Sequence, residues 1–448
     1  MRKKSTYSIR EYGYLLEEPT NNDLPIQTYK EELVAQSIPR SAFRYLLSFI
    51  KNDDEKDFAP FLRLTTFKRT TALKVQNYVG VLQTPCGTQI EVLPKVYFND
   101  GIDSEENTRK KLITMLRCLR DSPFKQGDSA EIRTTNMPLL EVYISQFLSL
   151  TNQLIKRGIR SDYVRVQNNS KFLRGKLLVS QQIRSNMLHP ERFAIECDEY
   201  LVNRPANRLI KATLARVTRV AQSSKNQRLA RGLCFAFEDV PKSTDIRTDF
   251  QKVKTDRSMS YYQNVLEWCR LLLNGHGPTS STGDFNTLSI LYPMERIFED
   301  YVAHRLSLKL DSYFKDCTLK TQAATYSLVE DHKGNPIFKL KPDLLIFKGD
   351  EKVCVMDTKW KLLDYLDHRN KYGISQADMY QLYAYGHKYF EKDKDPKTVM
   401  LIYPKTDKFE KRLPIFEYEK GEKGLKLEVV PFDLNEGVLI DERYPSGS

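Results

Sequence analysis

Two short apolar runs on either side of a polar turn constrain this chain more than any other feature. Lys341-Pro-Asp-Leu-Leu-Ile-Phe347 and Val353-Cys-Val-Met-Asp-Thr-Lys359 are each of strand length and rich in branched residues, and Lys348-Gly-Asp-Glu-Lys352 between them has turn composition. That punctuation predicts a tight antiparallel hairpin. A three-residue loop centred on Asp350 would set Asp343 directly opposite Asp357, with Cβ atoms roughly 4.5 to 5.5 Å apart. Side chains alternate along a strand, so Lys359 is expected on the same face as both acids. Leu344, Ile346, Cys354, Met356 and Trp360 would fill one face, and Leu345, Phe347, Val353 and Val355 would share the other with the acids. Both faces are then expected to be covered.

Two carboxylates and an amine converging under cover suit a specific chemistry. The plain alternative is a hairpin with a solvated polar side, but acids held away from water without a partner are costly. A hard divalent cation relieves that cost by taking oxygen ligands while keeping some waters. Such an ion lowers the pKa of a bound water and neutralises charge developing on a phosphoryl group, and a nearby lysine orients the water or meets the phosphate. Asp343 and Asp357 are therefore expected to hold a metal, and Lys359 to serve phosphodiester hydrolysis.

A chain of 448 residues is long enough for two or three domains with substantial cores. The net charge of +12, with 70 Lys and Arg beside 25 Tyr and 22 Phe, suits a polyanionic partner. The seven cysteines are scattered and contain no C-x-x-C pair, which argues against a disulfide framework or a zinc ribbon. The six histidines form no H-E-x-x-H or closely spaced pair, which argues against a zincin or a histidine-metal nuclease. The start lacks the apolar stretch of a signal peptide, and no apolar run approaches a membrane span, so a cytoplasmic location is expected. No G-x-x-x-x-G-K-[ST] phosphate loop occurs, so this chain itself is expected to bind no nucleotide and any motor must be a separate protein.

Patterning divides the chain into three stretches. Residues 1–115 read as a β-containing module, clearest in Val75–Leu82, the turn Thr84–Thr88 and the strand Gln89–Leu93. Residues 116–280 read as mainly helical, with helices over Leu139–Gly158, Arg204–Val220 and Tyr261–Leu273. Lys156, Arg157, Arg160, Arg165, Lys171, Arg174 and Lys176 there would follow a phosphate backbone or form a solvated face. Asn274–Gly283 breaks the pattern, and residues 281–448 carry a helix from Leu291 to about Leu310, the hairpin, a helix over Ile374–Tyr389 and a strand at Val399–Tyr403. Glu295 and Glu299 lie one turn apart on the first helix, both within reach of the metal by spacing alone. Helix, hairpin, helix, strand is the order of an α/β nuclease core with a central mixed sheet flanked by helices.

At these residues the chain resembles the PD-(D/E)XK nuclease superfamily, and more closely the McrC family, the nuclease subunit of modification-dependent McrBC restriction systems. The resemblance rests on an ordered set: Tyr78-Val-Gly-Val81, Val92-Leu-Pro-Lys95, Leu173-Arg-Gly-Lys-Leu177, Asp198-Glu-Tyr-Leu-Val-Asn-Arg204 with Asn207-Arg208, Pro293-Met294 with Phe298-Glu299, Pro342-Asp343, Asp357-Thr-Lys359 and Asp378-Met-Tyr-Gln-Leu-Tyr-Ala-Tyr385. The resemblance implies metal binding by Asp343, Asp357 and Glu299, catalysis by Lys359, and a supporting or DNA-contacting role for Gln381 and Tyr385. Gln376 with Tyr380 has the same spacing as that last pair.

The resemblance further implies Mg2+, with Mn2+ as the alternative, and a McrB-like AAA+ GTPase ring as partner. The region up to about residue 280 would dock on that ring and stimulate its GTP hydrolysis. The ring would choose double-stranded DNA carrying modified cytosine, and this chain would cut it. Two other readings are a catalytically silent adaptor between an AAA+ ring and DNA, and a stand-alone RecB-like repair nuclease. An adaptor has no need of the acid–acid–lysine set, and a repair nuclease has no need of the long McrC-like portion.

Overall fold

The computed structural model describes residues 6–18, 35–51, 61–95, 105–120, 123–126, 137–253, 259–276, 288–390, 398–420 and 424–441. They form two compact units, one comprising Gln83–Gly87 with Met137–Ile290, the other Thr6–Leu82, Thr88–Asn136 and Leu291–Ser448. The first stretch of the chain and the last thus share one unit.

In that shared unit the principal sheet runs Thr318–Thr321, Leu344–Lys348, Glu351–Thr358, Thr398–Pro404, Lys426–Asp433 and Phe416–Glu417. The first three strands are antiparallel, whereas Glu351–Thr358, Thr398–Pro404 and Lys426–Asp433 pair in parallel. A parallel neighbour requires a crossover, and the helix Gln376–Tyr389 supplies it. Thr398-Val-Met-Leu-Ile-Tyr-Pro404 is apolar along its length and buried, as a strand covered on both faces should be. Leu345, Val355, Leu382, Tyr385, Tyr389, Leu401 and Leu427 form the core on the face of that helix. Phe298, on the helix Met294–Leu308, packs on Trp360 with ring centroids 5.3 Å apart and on Phe432 at 6.2 Å.

The expected single strand Val75–Leu82 is two, Thr70–Val75 and Tyr78–Gln83, broken at Gln76 and Asn77. The helix expected from Leu291 begins at Met294 instead: Leu288–Pro293 is a strand, ordered in a sheet with Tyr78–Gln83, Gln89–Leu93 and Thr6–Arg10. Pro293 has no amide to donate and sits at the helix cap, while Met294 N donates to Asn77 O at 2.9 Å. Leu291 joins Ile9, Leu15, Phe43, Leu73 and Val92 in a second core of this unit.

In the other unit, helices run over Leu139–Arg157, Pro205–Val220, Ser224–Ala236, Ile246–Lys252 and Ser260–Asn274. Asn207 is fully buried and satisfied: its amide donates to Arg160 O and Val202 O at 2.9 and 2.8 Å and its oxygen accepts from Tyr262 OH at 2.9 Å. This stretch is not helical throughout. Asp162–Ser170 and Phe193–Leu201 pair antiparallel, and Lys176–Leu177 adds a short third strand. Its polar and charged residues masked the strand period, so periodicity alone did not reveal it.

Candidate active site

The hairpin turns on two residues, Gly349 and Asp350, because Lys348 pairs with Glu351; the three-residue loop is not formed. Gly349 has φ +59°, a backbone that suits glycine at such a turn. A two-residue turn alone would shift the partners by one and turn Asp357 to the wrong face. Val353 is an extra residue between the pairs Phe347–Lys352 and Ile346–Cys354, and this bulge restores the register, so that Leu344 pairs with Met356. Asp343 lies one residue beyond that pair, next to the end that carries Asp357.

Asp343 Oδ2 accepts from the backbone N and the hydroxyl of Thr358, both at 2.7 Å. Asp357 is 1% exposed. Its Oδ2 lies 2.5 Å from Lys359 Nζ in an ion pair. Lys359 Nζ also donates to Gln381 Oε1 at 3.0 Å, and Gln381 Nε2 donates to Tyr385 OH at 2.7 Å. Asp357 Oδ1 meets Gln381 Nε2 only at 3.5 Å. Asp343, Asp357, Lys359, Gln381 and Tyr385 therefore belong to one connected site. Gln376 bonds Tyr380 in the same way at 2.6 Å, but Tyr380 is 65% exposed, so the contact to Lys359 distinguishes the two pairs.

Glu299 reaches this group indirectly. Its Oε1 accepts from Gln322 Nε2 at 2.7 Å and lies 3.4 Å from an Arg120 guanidinium nitrogen, and Gln322 N donates to Asp343 O at 2.8 Å. The charge of Glu295 instead acts on Glu11 and Lys95. Gln322, Thr358 and Arg120 were not singled out from the sequence. Thr358, between Asp357 and Lys359, carried the one usable signal: a hydroxyl beside a strand-end acid.

Burial and mutual repulsion shape the titration of the acids. Burial first, then the charge of Asp343, pushes the carboxyl of Asp357 up to about 7. Glu299 is pushed up to about 7 by the same two causes. Asp343 is raised as well, chiefly by burial, against the lowering hydrogen bonds from Thr358. Burial alone would lower the ammonium of Lys359, but the adjacent Asp357 reverses this and raises it. The three acids thus share Lys359 and Arg120 as their neighbouring positive charges.

The donor set suits a hard divalent cation: carboxylates held largely out of water that repel one another. Among the described residues no three His, Cys, Asp or Glu side chains form a ready metal cage.

A family profile for the McrBC 5-methylcytosine restriction system component matches residues 73–404. The chain belongs to this McrBC family. Its fold is mixed α/β and similar to that of McrC: a chain of the refined half-complex of Thermococcus gammatolerans McrB AAA+ hexamers with bound McrC superposes with a TM-score of 0.66, at 20% identity, over 96% of this chain and 95% of that one. A chain of the Thermococcus gammatolerans McrBC complex covers 68% of this one and 88% of its own length at 21% identity, with a TM-score of 0.46. No curated protein matches. The candidate site residues Glu299, Asp343, Asp357, Lys359, Gln381 and Tyr385 fall within the matched span. Among the described residues no helix is long and apolar enough to cross a membrane.

Proposed function

We propose that this McrBC-family chain is the DNA-cleaving subunit of a GTP-dependent restriction system directed at modified cytosine. The observation that carries the reading is the joining of Asp343, Asp357 and Lys359 in one partly buried site, with Gln381 holding the lysine from the neighbouring helix. Asp343 and Asp357 would hold Mg2+, or Mn2+ in its place, with Glu299 joining directly or through Gln322. When bound, the ion supplies Lewis-acid neutralisation of the phosphate charge and an acidified water.

The remaining work belongs to side chains. Lys359 has two anchors, Asp357 and Gln381, so its ammonium is aimed without needing the metal to place it. From there it orients the attacking water or meets the scissile phosphate. Attack forms one new P–O bond and breaks an ester P–O bond, leaving a phosphate on one DNA end and a hydroxyl on the other. Thr358 holds Asp343 by two hydrogen bonds, which fixes one carboxylate of the pair. Tyr385 orients Gln381.

The partner is a McrB-like AAA+ GTPase ring, whose hydrolysis this chain would stimulate. Support comes from the fold shared with a chain from an assembly of McrB hexamers with bound McrC. The strand pair Asp162–Ser170 and Phe193–Leu201 and the following residues also expose Tyr163, Phe172, Leu173, Met187, Leu188 and Tyr200. Apolar surface of that kind on a soluble fold marks an interaction site, and the ring is the occupant we assign to it. The deciding assay incubates methylated and unmethylated DNA with this chain, with and without the ring protein, GTP and Mg2+. Cutting only of modified DNA with every component present is the expected result; cutting that ignores modification and ring would point to a free-standing repair nuclease.

A further inference from the structure

Val92-Leu-Pro-Lys95 is a segment that the cutting chemistry leaves unused. Its place in the fold follows from strand pairing: Thr6–Arg10 runs parallel to Gln89–Leu93 with Arg10 opposite Leu93, and Glu11 N extends the ladder to Leu93 O at 2.9 Å. Pro94 has no amide to give, so the ladder stops there, and Lys95 N donates to Glu11 Oε1 at 3.0 Å. The chain turns just after Glu11, where Tyr12 has φ +63° and Gly13 N donates to Arg10 O at 3.0 Å. A buried carboxylate and a lysine are thereby brought to the same end of this sheet.

Both side chains reach Trp360. Its indole nitrogen donates to Glu11 Oε1 at 2.9 Å and to Oε2 at 3.2 Å, and its carbonyl accepts from Lys95 Nζ at 3.3 Å. The Lys95 ammonium also lies over the ring of Tyr12, 4.7 Å from the centroid, and the charges of Glu295 and Lys361 act on it. The indole ring packs on Phe298, the residue before Glu299. Ring, ring nitrogen and carbonyl of this one buried residue are each held by a different part of the chain.

The position of Trp360 gives these contacts their meaning. The strand Glu351–Thr358 ends just before Lys359; Lys359 N still donates to Ile402 O at 2.9 Å, but residues 359–364 have no regular structure. At the next residue the contacts of Trp360 take over from the ladder and hold the main chain from which the lysine springs. Asp357 and Gln381 fix the ammonium, and a flexible four-carbon stem lies between the two ends. A shift of the main chain would draw the tip off those anchors, and about 1 Å of misplacement at a reacting group costs up to about a hundredfold in rate.

We propose that Glu11 and Lys95 are positioning residues for Lys359: by clamping the side chain and the carbonyl of Trp360 they set the main chain from which Lys359 reaches Asp357 and Gln381. They act through Trp360 and not on the substrate. That Lys359 serves DNA cleavage rests on the nuclease reading above; that it is held from behind does not.

The test applies two readouts to the full chain. Amine labelling read by peptide mass spectrometry, in EDTA and without DNA, measures how firmly Lys359 is held. Trp360→Phe keeps a ring on Phe298 but drops the indole donor, and Lys95→Met keeps the stem but drops the ammonium; thermal melting checks that each folds, and Trp360→Phe carries the test if Lys95→Met does not. Each should raise labelling of Lys359 severalfold, while Lys352, on the same strand and bonded to Tyr326 OH at 2.9 Å, labels as in wild type. Single-turnover cleavage of modified DNA with the ring protein, GTP and Mg2+ should fall about tenfold or more in both at unchanged DNA affinity. Glu11→Gln should retain most of the rate that Glu11→Leu loses, because the 2.9 Å indole bond and the Lys95 amide bond both fall on Oε1, and one amide oxygen can accept both. Ile90→Val, which loosens the buried core on Gln89–Leu93, should change neither readout. The proposal is overturned if Lys359 labels alike in wild type and clamp variants, if Lys352 or Ile90→Val shows the same rise, or if the clamp variants cut as fast as a wild type that cuts. A wild type that never cuts would remove the nuclease reading, and labelling alone would then decide the clamp.

Discussion

The indole nitrogen of Trp360 donates to both carboxylate oxygens of Glu11, at 2.9 and 3.2 Å, joining the first strand region of the chain to the residue after Lys359. Lys95 completes the arrangement: its amide donates to Glu11 Oε1 at 3.0 Å and its ammonium to Trp360 O at 3.3 Å. Glu11 is 1% exposed, and burial outweighs its favourable partners to push its carboxyl from 4.5 up to about 7.

A raised carboxyl means the folded state holds the proton more tightly than the unfolded one. Its contribution to stability is therefore present below the unfolded value and lost as pH rises to about 7, a loss of about 3 kcal/mol at most. Glu11→Gln cannot ionise. Denaturant melts between pH 4.5 and 8 should show a shallower decline for Glu11→Gln than for wild type, and parallel curves would refute the assignment.

Asp357→Ala and Lys359→Ala should each lower DNA cleavage by at least about a hundredfold if, as proposed, one removes a metal ligand and the other a charged group at the phosphate. Stimulation of the ring's GTP hydrolysis should persist in both. Mg2+-dependent cutting at wild-type rate in either variant would dismiss the roles given to them.

Gln381→Ala frees Lys359 from its second anchor, and a loss of about ten- to a hundredfold in cleavage is expected. Gln376→Ala, at the same spacing but bonded only to the exposed Tyr380, should cut normally. Comparing single-turnover rates of the two variants decides whether contact with the lysine matters.

Mg2+ should stabilise the chain against heat, by about 3 kcal/mol at a hundred times its dissociation constant. Asp357→Asn removes the charge that draws the ion and should abolish this gain. In the absence of metal the same variant should melt higher than wild type above pH 7, because it no longer ionises a buried acid pushed up to about 7.

Gly386 lies on the helix Gln376–Tyr389 where an added Cβ would run into the side chain of Leu425. Gly386→Ala should cost about 1 to 3 kcal/mol by overpacking. Adding Leu425→Ala should recover part of it, and purely additive losses in urea melts would contradict the contact.

The sequence by itself determined the local elements with strong periods. The apolar runs around Gly349, the continuous Val399–Tyr403 and the amphipathic stretch ending at Tyr389 each stand where their patterns indicate. It also determined that Asp343 and Asp357 would sit at the same end of one hairpin, because the two lie equally far along the chain from Asp350 in the turn. Only the tertiary structure decided the rest. The Val353 bulge, which offsets the shorter turn, depends on how the strand packs between its neighbours. The choice of Gln381 over Gln376 depends on which face of the helix meets the sheet. The union of Thr6–Leu82 with Leu291–Ser448, which sets Glu11 against Trp360, depends on burial between residues hundreds of positions apart, where no local propensity acts.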